Sequence, residues 1–422
     1  MPRREDRPEA AWTAAPTRIP YRVFTDRRIY AAEQAAIFRG PFWCYLALEA
    51  EIPNPGDFTT SVLGETPIIV QRDAEGDVAA FVNRCSHRGA LVCRETSGHT
   101  AMHTCVYHQW SFDQTGALRS VPFARGVRGV GGYPADFDLR EHGLTRLRVA
   151  RYAGVIFGSL GDPREALPEY LGVLGRTQLD RVFQKPLRIL GYQRQRIRAN
   201  WKLYPENIKD PYHAGLLHYF FPLLGILRPT MRGGVLFDEH CRHTLLYSAR
   251  ESHDRVEPDG VETMTGRHRL NDESILAWRQ EMDDFIVNFV LSLFPSVVVQ
   301  QIFNTLAVRH SRPKSVNEFE LHWTYFGYAD DDDALRRLRL VQSNLVGPAG
   351  YVSMEDAEAI ELIQRAVESG PEDSSFVEMG GCGPPENTYH LLTEVGIRGF
   401  WGYCGRVMGF DGGGDGDDAR DA

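Results

Sequence analysis

Between Phe42 and Leu160 the apolar residues come in short runs broken by turn residues: TPIIVQR, then DAEGD, then VAAFVN, and later ARYAGVIFGSL. Runs of this length bounded by Gly and Asp predict β-strands joined by tight turns. Ahead of them, Asp26 to Phe38 has helical spacing, with Asp26 as cap, Ile29, Ala32, Ala36 and Ile37 as the apolar stripe, and Gly40-Pro41 as the stop. Behind them, Arg164 to Arg188 reads as a mixed, helical bridge. A second β-rich section follows. RILGYQRQRIRANWKLY alternates as a strand and delivers the chain into ENIKDPYHAGLLH, while HTLLYSAR, PSVVVQQIFNTLAVRH and FELHWTYFGYA read as further strands. DDDDALRRLRLVQSNL and SMEDAEAIELIQRAVES read as helices, the first with acids at its start and arginines later, which suits the helix dipole. Residues 1–20 are rich in Pro and Arg and are expected to extend over the surface, and DGGGDGDDARDA, unable to bury anything, is expected to be disordered. The pattern predicts an α+β chain in four parts: an N-terminal segment and helix (1–40), a small all-β module (41–160), a second domain (161–410) and an acidic tail (411–422).

At 422 residues the chain is long enough for two domains with substantial cores. Its 43% hydrophobic and 24% charged residues are ordinary for a globular protein. A net charge of −9 argues against nucleic acid or an anionic membrane as the main partner. The apolar run Val287–Leu293 is too short to cross a bilayer, and the charged start MPRREDRPEAAWTAAP lacks the apolar core of a secretory signal. Seven cysteines in a long chain do not suggest a disulfide framework. The cytoplasm is the expected compartment.

Two constellations change this picture. Cys85-Ser86-His87 is followed, across seventeen residues, by Cys105-Val106-Tyr107-His108. Two loops that each offer one thiolate and one imidazole supply two Cys to one iron and two His to the other, the ligation of a Rieske [2Fe–2S] cluster. Zinc is the competing reading, but zinc fingers pair Cys with Cys and His with His along the chain, whereas here the two types alternate. Gly89 and Gly98 suit tight loops around such a site, and Tyr107 and Trp110 are candidates to shield it. Cys44, Cys93, Cys241, Cys382 and Cys404 lack matching partners and read as core thiols, and His99 and His103 fall outside the spacing.

A Rieske centre moves single electrons and so implies a second redox site. His213 and His218, five apart in ENIKDPYHAGLLH, together with a later carboxylate, form the facial ligand set of non-haem ferrous iron. Glu355 and Asp356 are the candidate acids. On a helix Asp356 shares its face with Ala359, Ile360, Ile363 and Val367, and Glu355 sits beside Glu358. An acid on an apolar face needs a cation to be buried, so Asp356 is the expected ligand. Asp210, one turn before His213, is expected to accept a hydrogen bond from a ligand imidazole and fix its tautomer. Asn207 either lines the cavity or caps a helix.

CSH…CVYH, NWKLYPENIKDPYHAGLLH, FPSVVVQQ, NLVGPAG and RGFW resemble the large (α) subunits of Rieske non-haem iron aromatic-ring-hydroxylating oxygenases, over roughly residues 18–410. Within that group the chain is similar to the branch acting on aromatic carboxylates: salicylate 5-hydroxylase, anthranilate dioxygenase and terephthalate dioxygenase. The resemblance implies a Rieske β domain ahead of a catalytic domain with a curved antiparallel sheet flanked by helices. It implies a [2Fe–2S] cluster, a mononuclear Fe(II), O2 as co-substrate, and NAD(P)H acting through a separate reductase, with or without a ferredoxin. It also implies a ring of three α chains with three small β subunits (α3β3), in which His108 of one subunit meets Asp210 of the next. Asp210 and Asn207 are then the catalytic candidates, and Arg309 stands where terephthalate-type relatives bind a carboxylate. Those relatives carry a second arginine where Leu391 aligns here, which points to a monocarboxylate such as salicylate or anthranilate. Salicylate 5-hydroxylation is the first expectation, ring dihydroxylation of anthranilate or terephthalate the second. A Rieske electron carrier without oxygenase activity is the rival from another class.

Overall fold

The computed structural model describes residues 17–223, 227, 230–250 and 273–410. The first sixteen residues of the expected surface segment and the acidic tail 411–422 lie outside the described residues. The chain divides into two compact units, Ile37–Tyr170 and a second composed of the residues up to Ala36 with those from Leu171 on. The first unit is thus an insertion in the second, with limits four residues before 41 and ten after 160.

The inserted unit holds three small antiparallel sheets. One has the order Val78–Val82, Thr66–Arg72, Asp57–Leu63, Ser97–His99; another runs Arg148–Tyr152, Val155–Ser159, Cys44–Leu48; the third is Met102–Thr104, Ser111–Asp113, Leu118–Ser120. The continuous apolar runs TPIIVQR and VAAFV reflect burial on both faces. Ile69, Ala79 and Phe81 enter one core cluster, while Ile68, Val70, Ala80 and Val82 enter another, as the two-residue period of a strand requires. The first of these clusters also contains Cys85, Cys105, Trp110 and Phe112, so it forms the floor of the Cys/His loops.

The second unit is built on a seven-stranded antiparallel sheet in the order Leu187–Ile197, Glu318–Tyr328, Thr305–Ser315, Val297–Ile302, Ile286–Leu293, Thr244–Ala249, Arg232–Phe237. PSVVVQQIFNTLAVRH, expected as a single strand, is a hairpin: Ile302 faces Thr305 across Phe303-Asn304, and Phe303 has a φ of 52°. The buried Asn304 side chain secures the turn by donating to the Arg279 carbonyl at 2.7 Å. On one face of this sheet Arg309 lies opposite both Val298 and Trp323, and Ala307 lies opposite Gln300 and Tyr325. The helix Tyr351–Val367 is pinned to the same face, because Ser353 donates to Gln195 at 2.6 Å and Gln193 lies opposite Trp323.

The expected helix Asp26–Phe38 is broken into pieces: Arg22–Thr25, Arg27–Glu33 and a π-helical turn Gln34–Phe38. Asp26 does cap the middle piece, accepting from the Arg28 amide at 2.7 Å. Glu33, fully buried at its end, pairs with Lys202 at 2.6 Å and accepts from the Trp201 indole at 2.9 Å. This ties the N-terminal helices to the NWK segment immediately ahead of the histidine stretch. Among the described residues, no helix is long and apolar enough to cross a membrane.

Candidate metal centres and substrate face

The two Cys/His loops of the inserted unit share one backbone plan. The Cys85 amide donates to the Ala90 carbonyl at 2.8 Å and the Gly89 amide to the Cys85 carbonyl at 2.9 Å. The Cys105 amide donates to Trp110 and the Gln109 amide to Cys105, both at 2.9 Å. The fourth residue after each cysteine takes a left-handed conformation, Gly89 at φ 77° and Gln109 at φ 58°. Matched loops place the two imidazoles side by side, with ring centroids 4.6 Å apart. Trp110 stacks flat on His87 at 4.7 Å, and Tyr107 lies against His108 at 3.8 Å. His99 instead pairs with Asp57, and the buried His103 with Gln71, so neither joins the cluster.

The donor chemistry fits an iron–sulfur cluster. Burial raises the Cys85 thiol, the amides of His87 and Arg88 oppose that, and the neighbouring Cys105 sulfur raises it further. Two crowded, buried thiols favour a cation that removes their protons. The buried Nδ1 of His87 has no hydrogen-bond partner among the described residues, as a ligating nitrogen requires. Of the remaining cysteines, Cys44, Cys93 and Cys404 are buried, but Cys241 is half-buried and Cys382 exposed. Those last two depart from the core role expected of them: Cys241 occupies a left-handed turn position, and Cys382 sits in the loop GGCGPP, which has no apolar face to bury.

In the second unit, the helix Leu203–Ile208 ends just before Asp210, whose side chain caps the short helix Pro211–Ala214 by accepting from the Tyr212 amide at 2.8 Å. The cap brings His213 round, and His218 follows after one more turn. From across the site, Asp356 projects from the buried face of Tyr351–Val367. Ligand atoms of His213, His218 and Asp356 lie within 4.8 Å of one another. Each imidazole turns its Nε2 toward Asp356 Oδ1, at 3.4 Å for His213 and 3.1 Å for His218. The opposite nitrogens are held by carboxylates: His213 Nδ1 meets Asp210 at 3.2 Å and His218 Nδ1 meets Glu355 at 2.7 Å. Protons held at both Nδ1 atoms leave both Nε2 lone pairs directed at one point.

The electrostatics of this trio call for a cation. Burial works against charge on His213, yet its hydrogen bonds to Asp210 and Asp356 lift it to about 10. Burial likewise pushes Asp356 up, but the two imidazoles hold it well below the usual carboxylate range. A divalent ion among the three atoms satisfies both demands, and a set of two imidazoles and one carboxylate is suited to ferrous iron.

Sequence reasoning put Glu355 on the solvated side of its helix, yet its tip reaches back to His218. Its place beside Asp356 was the available signal. Asn207 neither caps a helix nor stands free: its amide donates to Asp356 Oδ1 at 3.0 Å. Arg309 is not at the surface. It is 5% exposed, its guanidinium lies 5.1 Å from the Trp323 ring and 5.8 Å from the Tyr204 ring, and its Nε has no hydrogen-bond partner among the described residues. Tyr204 links it to the ligand set. Burial raises the Tyr204 phenol far above its ordinary value, with Arg309 opposing and Asp356 adding to the rise.

Comparison with known proteins agrees with both centres. Residues 42–134 match the Rieske [2Fe-2S] domain family and residues 171–402 the ring hydroxylating alpha subunit catalytic domain family. The chain is 46% identical to the anthranilate 1,2-dioxygenase large subunit of Burkholderia cepacia, covering 93% of this chain and 94% of that one. It is 43% identical to the terephthalate 1,2-dioxygenase terminal oxygenase component subunit alpha 2 of Comamonas sp, covering 94% and 96%. Identity to the salicylate 5-hydroxylase large oxygenase component of Ralstonia sp is 41%, covering 93% and 95%. Among solved structures, naphthalene 1,2-dioxygenase from Rhodococcus sp. bound to indole superposes with a TM-score of 0.78 at 25% identity, covering 93% and 94%.

Proposed function

Because this chain belongs to the large (alpha) subunits of the ring-hydroxylating oxygenases, oxidoreductases with a Rieske [2Fe-2S] domain and a non-haem iron catalytic domain, we propose that it hydroxylates an aromatic monocarboxylate, salicylate or another ortho-substituted benzoate such as anthranilate. The observation that carries this reading is Arg309. A buried guanidinium without an ion-pair partner among the described residues, on the sheet face that the ligand-bearing helix covers, is strongly unfavourable until an anion reaches it. A carboxylate matches its two parallel donors. Leu391, where a second arginine would be needed for a second carboxylate, is buried in an apolar cluster with Phe221, Phe303 and Leu345, which supports one acid group. Ring dihydroxylation of anthranilate is the second reading, favoured by the 46% identity to a dioxygenase acting on that acid.

His213, His218 and Asp356 would hold the mononuclear iron, and Cys85, His87, Cys105 and His108 the cluster. When bound, the cluster supplies single electrons and the ferrous ion activates oxygen. The protein's part is positional. Asp210 and Glu355 keep the protons on the Nδ1 atoms of the two histidines, Asn207 orients Asp356 through its amide, and Arg309 sets the ring by its carboxylate. Apolar residues beside His218, Phe220 and Phe221 among them, keep water from the ring. Asp210 would carry electron transfer between the centres, with His108 of one subunit against Asp210 of the next in an α3β3 assembly. A reductase using NAD(P)H, alone or through a ferredoxin, would feed it in the cytoplasm.

Product identification after feeding salicylate, anthranilate and terephthalate to the reconstituted system tests the substrate. Terephthalate turning over faster than both ortho-substituted acids would overturn the assignment. Arg309→Leu is expected to raise KM for benzoate-type acids by about 30- to 200-fold, as for a lost charged hydrogen-bond pair, and to leave uncharged analogues nearly unaffected. Equal effects on both would deny Arg309 the carboxylate.

A further inference from the structure

The face that carries Arg309 holds a second unsatisfied polar group. Gln300 sits mid-strand in Val297–Ile302 with 1% of its surface exposed. Neither its Nε2 nor its Oε1 has a hydrogen-bond partner among the described residues. Its neighbour Gln301 points the other way and is anchored, donating to the carbonyls of Ile286 at 3.0 Å and Phe303 at 3.1 Å. The register fixes where Gln300 stands. It lies opposite Ala307, while Arg309, two residues further along the same strand, lies opposite Val298. Gln300 and Arg309 are therefore diagonal neighbours on one face, within the reach of long side chains. Ala307 between them is too small to separate the two head groups. Trp323, directly opposite Arg309, adds an indole N–H that is also buried and without a partner among the described residues.

Leaving both ends of a buried amide unpaired is costly, and a ligand that supplies partners for both removes that cost. Diagonal neighbours on one face can engage the same bound ring together. Building on the Arg309 reading, we propose that Gln300 is a specificity-determining residue that reads the substituent ortho to the substrate carboxylate. Its Oε1 accepts a hydrogen from an ortho amino or hydroxyl group, and its Nε2 donates to the lone pair of the hydroxyl. The class of ligand is thus a benzoate carrying a hydrogen-bonding group at the ortho position.

Calorimetric binding of benzoate, anthranilate, salicylate and phenol to the iron-loaded protein tests this, comparing the parent with Gln300→Met, which keeps the shape and removes the amide. The parent is expected to prefer anthranilate or salicylate over benzoate by about tenfold, the value of one or two net hydrogen bonds. In Gln300→Met that ratio should fall to near one, with benzoate affinity unchanged, which also certifies the fold. A ratio that survives the substitution, or a parent with no ortho preference, overturns the assignment of Gln300 alone. Phenol bound as tightly as benzoate by the parent would instead sink the Arg309 reading on which it rests. If Gln300→Met weakens benzoate and the ortho acids equally, its role is packing and the proposal fails.

Discussion

Asp210 and Glu355 do the same job from opposite directions, each holding an imidazole by its Nδ1 so that the other nitrogen faces the centre. Carboxylates in this position commonly alter metal affinity by about 10- to 100-fold. Glu355→Gln is accordingly expected to weaken Fe(II) retention by a factor in that range, read by competition with a coloured chelator, while the visible spectrum of the iron–sulfur unit stays as it was. Unchanged affinity would show that the 2.7 Å contact to His218 is incidental. The ligand trio was legible because metal donors of these types are rare on apolar faces. Glu355 was not, since a helical wheel measures the direction of a Cβ and a glutamate tip extends well beyond it. Gln300 has a weaker signature, two adjacent amides inside VVVQQI that interrupt an otherwise apolar strand.

At the scale of elements, the repeated Cys-loop is the clearest device. Its fourth position is left-handed in both copies, yet one copy uses glycine and the other glutamine. A Cβ at Gly89 would meet nothing nearer than the Arg84 side chain at 3.9 Å, so substitution there is opposed by backbone conformation alone. Gly89→Ala should cost about 1–2 kcal/mol, seen as an earlier thermal loss of cluster absorbance, whereas Gln109→Gly should be neutral or slightly stabilising. An equal loss for both variants would mean that the side chain of Gln109, rather than the shared conformation, governs loop stability. The spacing of Cys and His made these loops readable. The hairpin at Phe303-Asn304 was harder, because a phenylalanine in a left-handed turn has no local signature and is held there by Asn304 and its distant partner Arg279.

For the whole molecule, metal stoichiometry separates an oxygenase from an electron carrier. The fully loaded chain should contain three irons, two in the cluster and one at the His213/His218/Asp356 site; two irons, or zinc in the Cys/His loops, would contradict the oxygenase reading. Asp210→Asn, loaded at saturating Fe(II), should hold all three and still lose nearly all turnover, and product formation at the parent rate would remove Asp210 from the path between centres. The division into an iron–sulfur unit and a catalytic unit follows from strand-like periodicity giving way to the bridge at 164–188. Its limits were less visible, because the helix Leu167–Val182 runs through the boundary with a break only at Gly172.

One detail of the topology bears on how the protein is made. Arg18–Pro20 forms its strand pairing with Ser374–Phe376, so the catalytic unit cannot be closed until nearly the whole chain has left the ribosome. Ile37–Tyr170, by contrast, contains all its own sheet partners and emerges intact while most of the other unit is still unsynthesised. The loops that carry Cys85, His87, Cys105 and His108 are therefore complete, with all their sheet partners, well before the strand Ser374–Phe376 that closes the other unit has been made.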